Sequence, residues 1–470
     1  MTTFFDRGGI RELESLERLY QNDEFTFAVV YGRRRVGKSA LINEFIKRGG
    51  KKAIRFIATE YTDAINLQNF SQRVFAAYPQ QSKFGGFPTW ETAFEYIAEQ
   101  AAGEKLVVEI DEYPYLAKAN PAISSELQKC IDTVFQDTKI LLILCGSSMS
   151  FMENQVLGYQ SPLYGRRAAQ YRIEPLDYYD SAEFFGDACP EDKLLGYAVT
   201  GGIPQYLKVI SKAATVERGI EETFFTKDGF LYEEPQNLLK QELREPATYN
   251  TIIKAIANGS TKMNEIASKI GEKDGKVAIY IKNLIGLGIV EKTAPMFMDT
   301  DRGGIYRIKD GMYRFWHRFV PNVSVMIAAG DGGVYEEDVR PFINDFMGPA
   351  FEDVCMQYLM RMNIKRGLPF RFTRIGRWWG GNPVTKKGTE IDVVASSRDG
   401  TKILVGDCKW RNKMMGLNLY DDLKERAALF PGKEVYYYMF SKSGFTDELK
   451  GEAEKDKKLR LICLDDLFKV

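Results

Sequence analysis

Residues 32–39 read GRRRVGKS, and no other stretch narrows the possible folds of this chain so far. Gly32, Gly37, Lys38 and Ser39 stand at the offsets of a loop whose backbone N–H groups curl around phosphate, a curl whose dihedrals only glycine tolerates. The loop follows the apolar run FTFAVVY (25–31) and opens an amphipathic stretch at 39–48, the strand-then-helix setting that the phosphate geometry requires. The spacing therefore predicts that Gly32, Arg33, Arg34, Arg35, Val36, Gly37, Lys38, Ser39 and Ala40 wrap a nucleoside triphosphate, expected to be ATP. Lys38 would meet the β/γ-phosphates and Ser39 the Mg²⁺.

Three further apolar runs, KAIRFIA (52–58), KLVVEID (105–111) and KILLILCG (139–146), alternate with amphipathic stretches such as 124–136. That alternation predicts buried parallel strands joined by right-handed crossovers. A P-loop ATPase needs a carboxylate at the end of a buried strand for Mg²⁺ and another to orient water. Asp111 is the expected metal-side acid and Glu112 the expected base; Glu109, in mid-strand, is expected to be structural. The run 139–146 ends beside Ser147 and Ser148, either of which could reach the γ-phosphate. In SPLYGRR, Arg166 and Arg167 are candidates for the cation that neutralises transition-state charge, in the same chain or in a neighbour.

These segments together resemble a known family. GRRRVGKS, VVEIDEYPYL, LILCGSS, SPLYGRR and YAVTGGIPQYL match the archaeal-type P-loop ATPases of the AAA+/STAND division. The resemblance spans essentially the whole chain and implies an ATPase core, a lid, a winged helix and a C-terminal domain, in that order. It also implies that Pro204 lies against adenine and that Ser147 or Ser148 senses phosphate. The family's opening pattern corresponds to Phe4–Arg7 and Glu12–Leu13, with extra residues between.

The chain has 470 residues, 44% of them hydrophobic and 27% charged, which suits several globular domains rather than disorder. No run reaches the ~18 apolar residues of a membrane helix, and the first thirty residues lack a signal layout, so a cytoplasmic protein without membrane contact is expected. The 6 cysteines form no CxxC pair and there is 1 histidine, which argues against disulfide frameworks and zinc fingers.

Lys plus Arg and Asp plus Glu each number 64, so net charge favours no partner, but its distribution is uneven. Residues 331–353 hold seven acidic residues and one basic; residues 354–389 hold eight basic and none acidic. Arg361, Lys365, Arg366, Arg371, Arg374, Arg377, Lys386 and Lys387 interleave with Phe370, Phe372, Trp378 and Trp379, a pattern suited to phosphate contact and base stacking. Upstream, three short helical patterns over 247–286 and the runs IVEKT and IYRIK around DTDRGG read as a winged helix-turn-helix. In its third helix Val277, Ile281, Leu284 and Ile285 are the expected core, leaving Lys276, Tyr280, Lys282 and Asn283 for a DNA groove. Double-stranded DNA is the expected macromolecular partner.

The C-terminal pattern of helix (350–362), strands (370–375, 390–396, 402–410), helix (419–430) and strands (434–441, 459–464) predicts a separate mixed α/β domain. Asp392 lies on one strand and Asp407-Cys408-Lys409 ends the next, with Asp407 and Lys409 on one face by the period of two. Two carboxylates and a lysine can hold a divalent ion and stabilise charge during phosphodiester attack, and Glu352 in the preceding helix could complete the metal site. Residues and element order resemble the PD-(D/E)xK nuclease superfamily of restriction-endonuclease-like folds, although no proline precedes Asp392.

The expected class is α/β: a P-loop NTPase parallel sheet (1–174), a helical lid (175–240), a winged helix-turn-helix (241–325), a junction (326–345) and a nuclease-like domain (346–470). The expected activity is ATP hydrolysis whose nucleotide state controls a DNA-binding, Mg²⁺- or Mn²⁺-dependent nuclease, with homo-oligomers possible. Two other readings use the same residues: a STAND-type regulatory switch that binds DNA or protein without cleaving, and a ring-forming DNA-motor ATPase.

Overall fold

Tyr31 lies opposite Gly146 and Ile110 opposite Leu144, so the parallel strands β1 (Thr26–Tyr31), β3 (Leu106–Asp111) and β4 (Ile140–Gly146) end level with one another. Every residue of these three strands is buried. That is why they read as unbroken apolar runs rather than alternating ones. Adding β2 (Ala53–Ile57) and β5 (Ala169–Arg172) gives an all-parallel sheet in the order β2-β3-β4-β1-β5. Residues 32–39, Asp111–Glu112 and Ser147 all lie at or just beyond the carboxyl ends of strands, the edge at which open parallel sheets bind ligands. Strand β5 has no sequence signature, because AQYR is short and polar and is a strand only through its pairing with β1.

The computed structural model describes residues 11–79, 85–298, 304–381 and 388–469, in two compact units that divide after Pro175. Phe4–Arg7, Lys386, Lys387 and most of the DTDRGG turn lie outside the described residues. No helix among the described residues is long and apolar enough to cross a membrane.

The second unit opens with five helices between Tyr178 and Glu242. Helices Pro246–Ala257, Met263–Ile270 and Asp274–Gly286 follow, then an antiparallel ribbon of β6 (Val290–Thr293) and β7 (Ile305–Ile308). In helix Asp274–Gly286 the buried stripe is Val277, Tyr280, Ile281 and Leu284, while Ile285 is exposed. This corrects the sequence expectation: a 3.6-residue period brings Tyr280 under the stripe and carries Ile285 out of it. Tyr280 packs edge-on against Tyr249 and bonds Glu245, and Asn283 donates to the Tyr249 hydroxyl at 2.7 Å, so neither is presented to a groove.

Helix Gly311–Ala329 buries His317 against Tyr313. Burial, assisted by the charge of Lys254, pulls this imidazole down from 6.5 to about 4. Between those two values it is neutral in the fold and takes up a proton on unfolding. Its stability contribution is therefore complete above the unfolded value of 6.5 and is lost as pH falls through the folded value near 4. At 1.36 kcal/mol per pKa unit the loss is roughly 3 kcal/mol. His317→Leu should flatten the fall in urea midpoint between pH 7 and 4.5; parallel slopes for the two proteins would contradict this.

Residues 326–345 are largely helical and bury Val334, Tyr335 and Val339. Helix Ile343–Ile364 leads into a mixed sheet of β8 (Phe372–Gly381), β9 (Gly388–Ser397), β10 (Lys402–Lys409), β11 (Glu434–Ser441) and β12 (Leu459–Cys463), in the order β12-β11-β10-β9-β8. Strands β8, β9 and β10 pair antiparallel; β10, β11 and β12 pair parallel, with helices Leu417–Ala427 and Asp447–Lys455 between them in sequence. Gly376 faces Val394 but Trp378 faces Ile391, so Arg377 alone opposes two residues, Asp392 and Val393. Such a bulge re-aims side chains, and here it lies at Asp392.

Candidate functional site

The loop after β1 holds its shape through backbone that other residues resist. A Cβ on Gly32 would lie 2.4 Å from the Ile173 carbonyl oxygen, and Gly37 has φ 98°. Arg35 and Glu112 adopt positive φ without being glycine, at 69° and 52°. Residues kept in such strained backbone cluster at functional sites.

Lys38 is buried, and its ammonium donates to the carbonyls of Gly32 at 2.9 Å and Arg33 at 3.1 Å. Burial lowers its pKa, against the opposing pull of Cys145, Glu112 and Asp111. The Ser39 hydroxyl donates to Asp111 Oδ2 at 3.1 Å, so the loop and the end of β3 meet at one point. Asp111 Oδ1 accepts the Glu112 N–H at 2.9 Å. The left-handed backbone at Glu112 sends its carboxylate across to β4, where Oε2 accepts the Ser147 hydroxyl at 2.8 Å. It is Ser147, rather than Ser148, that Glu112 engages. Val36 is buried, Ala40 is exposed, and Arg34 donates to the Tyr115 hydroxyl at 2.7 Å. Glu109 is buried and paired with Arg55.

Arg166 makes two 2.7 Å bonds to Asp132 and a third to the Pro162 carbonyl. Its guanidinium would have to leave a bidentate partner before serving a phosphate. Arg167 donates to the neutral Gln170 at 2.8 Å and lies over the ring of Tyr164. Pro204 belongs to the second unit, where it starts helix Pro204–Ile210.

A second cluster lies where β9, β10 and helix Ile343–Ile364 meet. Lys409 Nζ stands 3.4 Å from Asp392 Oδ2 and 3.1 Å from Asp407 Oδ2. Burial would lower the Lys409 pKa, but Asp392 and Asp407 together raise it. Asp392 Oδ2 also accepts the Cys408 N–H at 2.8 Å, and the fully buried Asp407 is bound by Arg426 at 2.8 Å. Glu352 bonds Arg377 Nε at 2.7 Å; burial, with Asp392 nearby, pushes it up to about 7 against the pull of Arg377. Among the described residues no three His, Cys, Asp or Glu side chains form a metal-holding group. Of the carboxylates named from sequence, Asp392 and Asp407 meet at Lys409, whereas Glu352 is bound to Arg377. Arg426 was invisible in the sequence, because only the packing of helix Leu417–Ala427 brings it to Asp407.

The basic stretch divides. Arg361 is committed to Asp177 and Asp180 and stacks on Tyr179; Arg377 is committed to Glu352 and Asp353. Phe372 is buried and Trp378 packs edge-on against Phe430. Lys365, Arg366, Arg371 and Arg374 are exposed. The expectation that the whole stretch faces nucleic acid is corrected accordingly: the acidic residues that balance Arg361 and Arg377 lie elsewhere in sequence.

Residues 4–210 match the model of an ATPase domain predominantly from Archaea, and residues 316–425 match a family of archaeal and bacterial proteins of unknown function. An uncharacterized protein of Methanocaldococcus jannaschii is 31% identical over 462 residues, covering 97% of this chain and 96% of its own. Among solved structures, the Walker-type ATPase of Pyrococcus abyssi superposes with a TM-score of 0.52 at 20% identity, covering 67% of this chain and 96% of its own. That likeness concerns the fold. The phosphate loop with its Ser39–Asp111 pairing and the archaeal relative matched from end to end lead to one conclusion: the chain belongs to the family of P-loop ATPases found predominantly in Archaea.

Proposed function

We propose that this chain is a cytoplasmic ATPase whose nucleotide state governs a DNA-binding, metal-dependent nuclease formed by residues 346–470, with residues 175–240 as lid and 241–325 as a winged helix-turn-helix. The ATPase reading rests on one observation: Ser39, Asp111, Glu112 and Ser147 form a continuous hydrogen-bonded line across the carboxyl ends of β1, β3 and β4. Ser39 and Asp111 offer hard oxygen donors 3.1 Å apart, a set that fits Mg²⁺. Bound there, the ion would neutralise phosphate charge. Lys38 adds a second positive charge on the phosphates, and Glu112, fixed by Ser147, takes the proton of the attacking water. Arg167, rather than the tethered Arg166, is the better candidate for the transition-state cation. Pro204 is proposed to cover adenine.

In the C-terminal domain, one ammonium lies within 3.4 Å of both Asp392 and Asp407, so this carboxylate pair already faces a cation. The donors are oxygens, which suits Mg²⁺ or Mn²⁺. Lys409 would stabilise the developing charge on the phosphate, and Glu352 would be an auxiliary ligand. One observation favours the non-cleaving switch instead: Arg426 on Asp407 and Arg377 on Glu352 already neutralise two of the three carboxylates. Metal-dependent cleavage of plasmid DNA by the intact chain separates the two readings.

DNA affinity should come mainly from Lys365, Arg366, Arg371 and Arg374. The double reversal Arg371→Glu/Arg374→Glu should weaken binding at low salt and reduce the slope of log K against log salt by about 2, since each lost phosphate contact contributes about 0.9. A titration series over salt checks this, and an unchanged slope would remove the stretch from the interface.

A further inference from the structure

A helix that reads a major groove needs polar side chains free to meet base edges, and helix Asp274–Gly286 has few to offer. Tyr280 bonds Glu245, Asn283 donates to the Tyr249 hydroxyl at 2.7 Å, and Lys276 holds Glu272 at 2.7 Å. The middle of its solvent face is Ala278, Ile279, Lys282 and Ile285, with Ile279 64% exposed. Aliphatic groups in a groove would leave base-edge donors and acceptors without partners. The β6–β7 ribbon is committed as well. The Met296 N–H, in the loop leaving β6, donates to the Arg377 carbonyl at 2.7 Å, and its side chain is buried with Ile391, Val394 and Val405. Arg307 on β7 bonds Glu291 on β6 and reaches Asp353 Oδ1 at 3.0 Å. These residues of the ribbon are thus engaged with the C-terminal domain.

Lys365, Arg366, Arg371 and Arg374 are in the opposite situation. All four are exposed, and among the described residues none bonds a carboxylate. Local geometry gathers them. Helix Ile343–Ile364 ends, Arg366 turns the chain with a left-handed φ of 58°, and Asn363 clasps the backbone of Phe372. The Asn363 amide donates to the Phe372 carbonyl and accepts its N–H, both at 3.1 Å, which closes residues 364–371 into one turn leading into β8. Just beyond it, the Arg374 guanidinium lies 5.6 Å from the Phe297 ring centroid, a contact that positions the charge without neutralising it. The aromatic side chains of the turn are already engaged: Phe370 packs on Tyr436 at 5.6 Å, and Phe372 is buried. The turn therefore offers charge without a ring for base stacking.

We propose that this chain grips duplex DNA by its sugar–phosphate backbone alone, through Lys365, Arg366, Arg371 and Arg374, and so takes duplexes of any sequence. The module of residues 246–308 braces the sheet that carries this turn and does not read bases. Phosphates repeat alike along every duplex, so cations fixed on one closed turn select charge and spacing but no base. With no free ring in the turn to stack on, unpaired bases gain nothing there and the duplex, with its denser charge, is the favoured form. The inference rests on the proposed reading of this stretch as the DNA contact, and it names the substrate class.

The test is fluorescence anisotropy of the intact chain at low salt, with short labelled duplexes of unrelated sequence and with duplexes recovered from a randomised pool by repeated binding. Their dissociation constants should agree within about threefold, whereas a base-reading protein separates its site from other DNA by about 10³-fold or more. Ile279→Glu places a charge on an exposed position of helix Asp274–Gly286 and should change affinity by less than about twofold, since repulsion acts only on a helix lying against phosphates. A recovered sequence bound more than about tenfold tighter than the starting pool, the worth of one good base contact, overturns the inference. A loss of about tenfold in Ile279→Glu puts that helix in the groove and overturns it too. Uniform affinity that survives Arg371→Glu/Arg374→Glu places the grip elsewhere: the assignment to this turn falls and DNA binding stands. If no duplex binds at low salt, the DNA reading falls and the inference with it.

Discussion

Glu112→Gln is expected to leave nucleotide affinity intact and to lower ATP turnover by about 10²–10⁴-fold, the usual worth of a positioned general base. The carboxylate follows Asp111 at the end of a fully buried strand and is turned by a left-handed residue toward Ser147. Glutamine keeps the shape and the acceptor oxygen for the Ser147 hydroxyl but cannot take a proton. Lys38→Ala should act differently and lose binding as well as turnover, because the ammonium is the one lysine charge built into the loop. Phosphate release and the affinity for a fluorescent ATP analogue, measured on the same preparations, distinguish the two. Full turnover in Glu112→Gln would remove Glu112 from the chemistry, and full affinity in Lys38→Ala would question the loop itself.

The second large effect is expected at the C-terminal cluster. Asp392→Ala should reduce Mn²⁺-dependent nicking of supercoiled plasmid by about 10³-fold, since a bound ion's charge stabilisation is worth several kcal/mol and each 1.36 kcal/mol is tenfold. Lys409→Ala should fall similarly for a different reason: two buried carboxylates lose the ammonium 3.1 and 3.4 Å away, and the developing phosphate charge loses its cation. Circular dichroism of both variants separates lost chemistry from lost folding. If folded Asp392→Ala nicks DNA as fast as wild type, Asp392 holds no catalytic ion.

The candidate nucleotide site is legible in sequence because its chemistry is local: the loop needs glycine at fixed offsets, and Asp111–Glu112 needs only a strand to end there. The choice between Ser147 and Ser148 was not legible, since it depends on the backbone turn at Glu112 and on β4 lying beside β3. In the C-terminal domain, period-two alternation placed Asp407 with Lys409, but nothing local reveals Arg426 or the sharing of Asp353 by Arg307 and Arg377. Those pairs join residues far apart in the chain. The same limit explains Arg361 and Arg377, which read as one basic face until Asp177, Asp180, Glu352 and Asp353 come beside them. Helix Asp447–Lys455 has no apolar signature in the sequence, because DELKGEAEK is almost wholly polar and buries only Leu449. In helix Asp274–Gly286 the difference from the sequence pattern is one of phase, with Tyr280 and Ile285 exchanging places at the margin of an apolar stripe.

Nucleotide state is proposed to govern the C-terminal site. This is tested most directly by Mn²⁺-dependent plasmid nicking by the intact chain, without nucleotide and with saturating ATP, in wild type and Lys38→Ala. Nicking should change about tenfold between the two conditions in wild type, a modest coupling of the size allosteric proteins commonly show. In Lys38→Ala the rate should be the same in both. Equal rates with and without ATP in a wild-type protein that binds and hydrolyses ATP would contradict it.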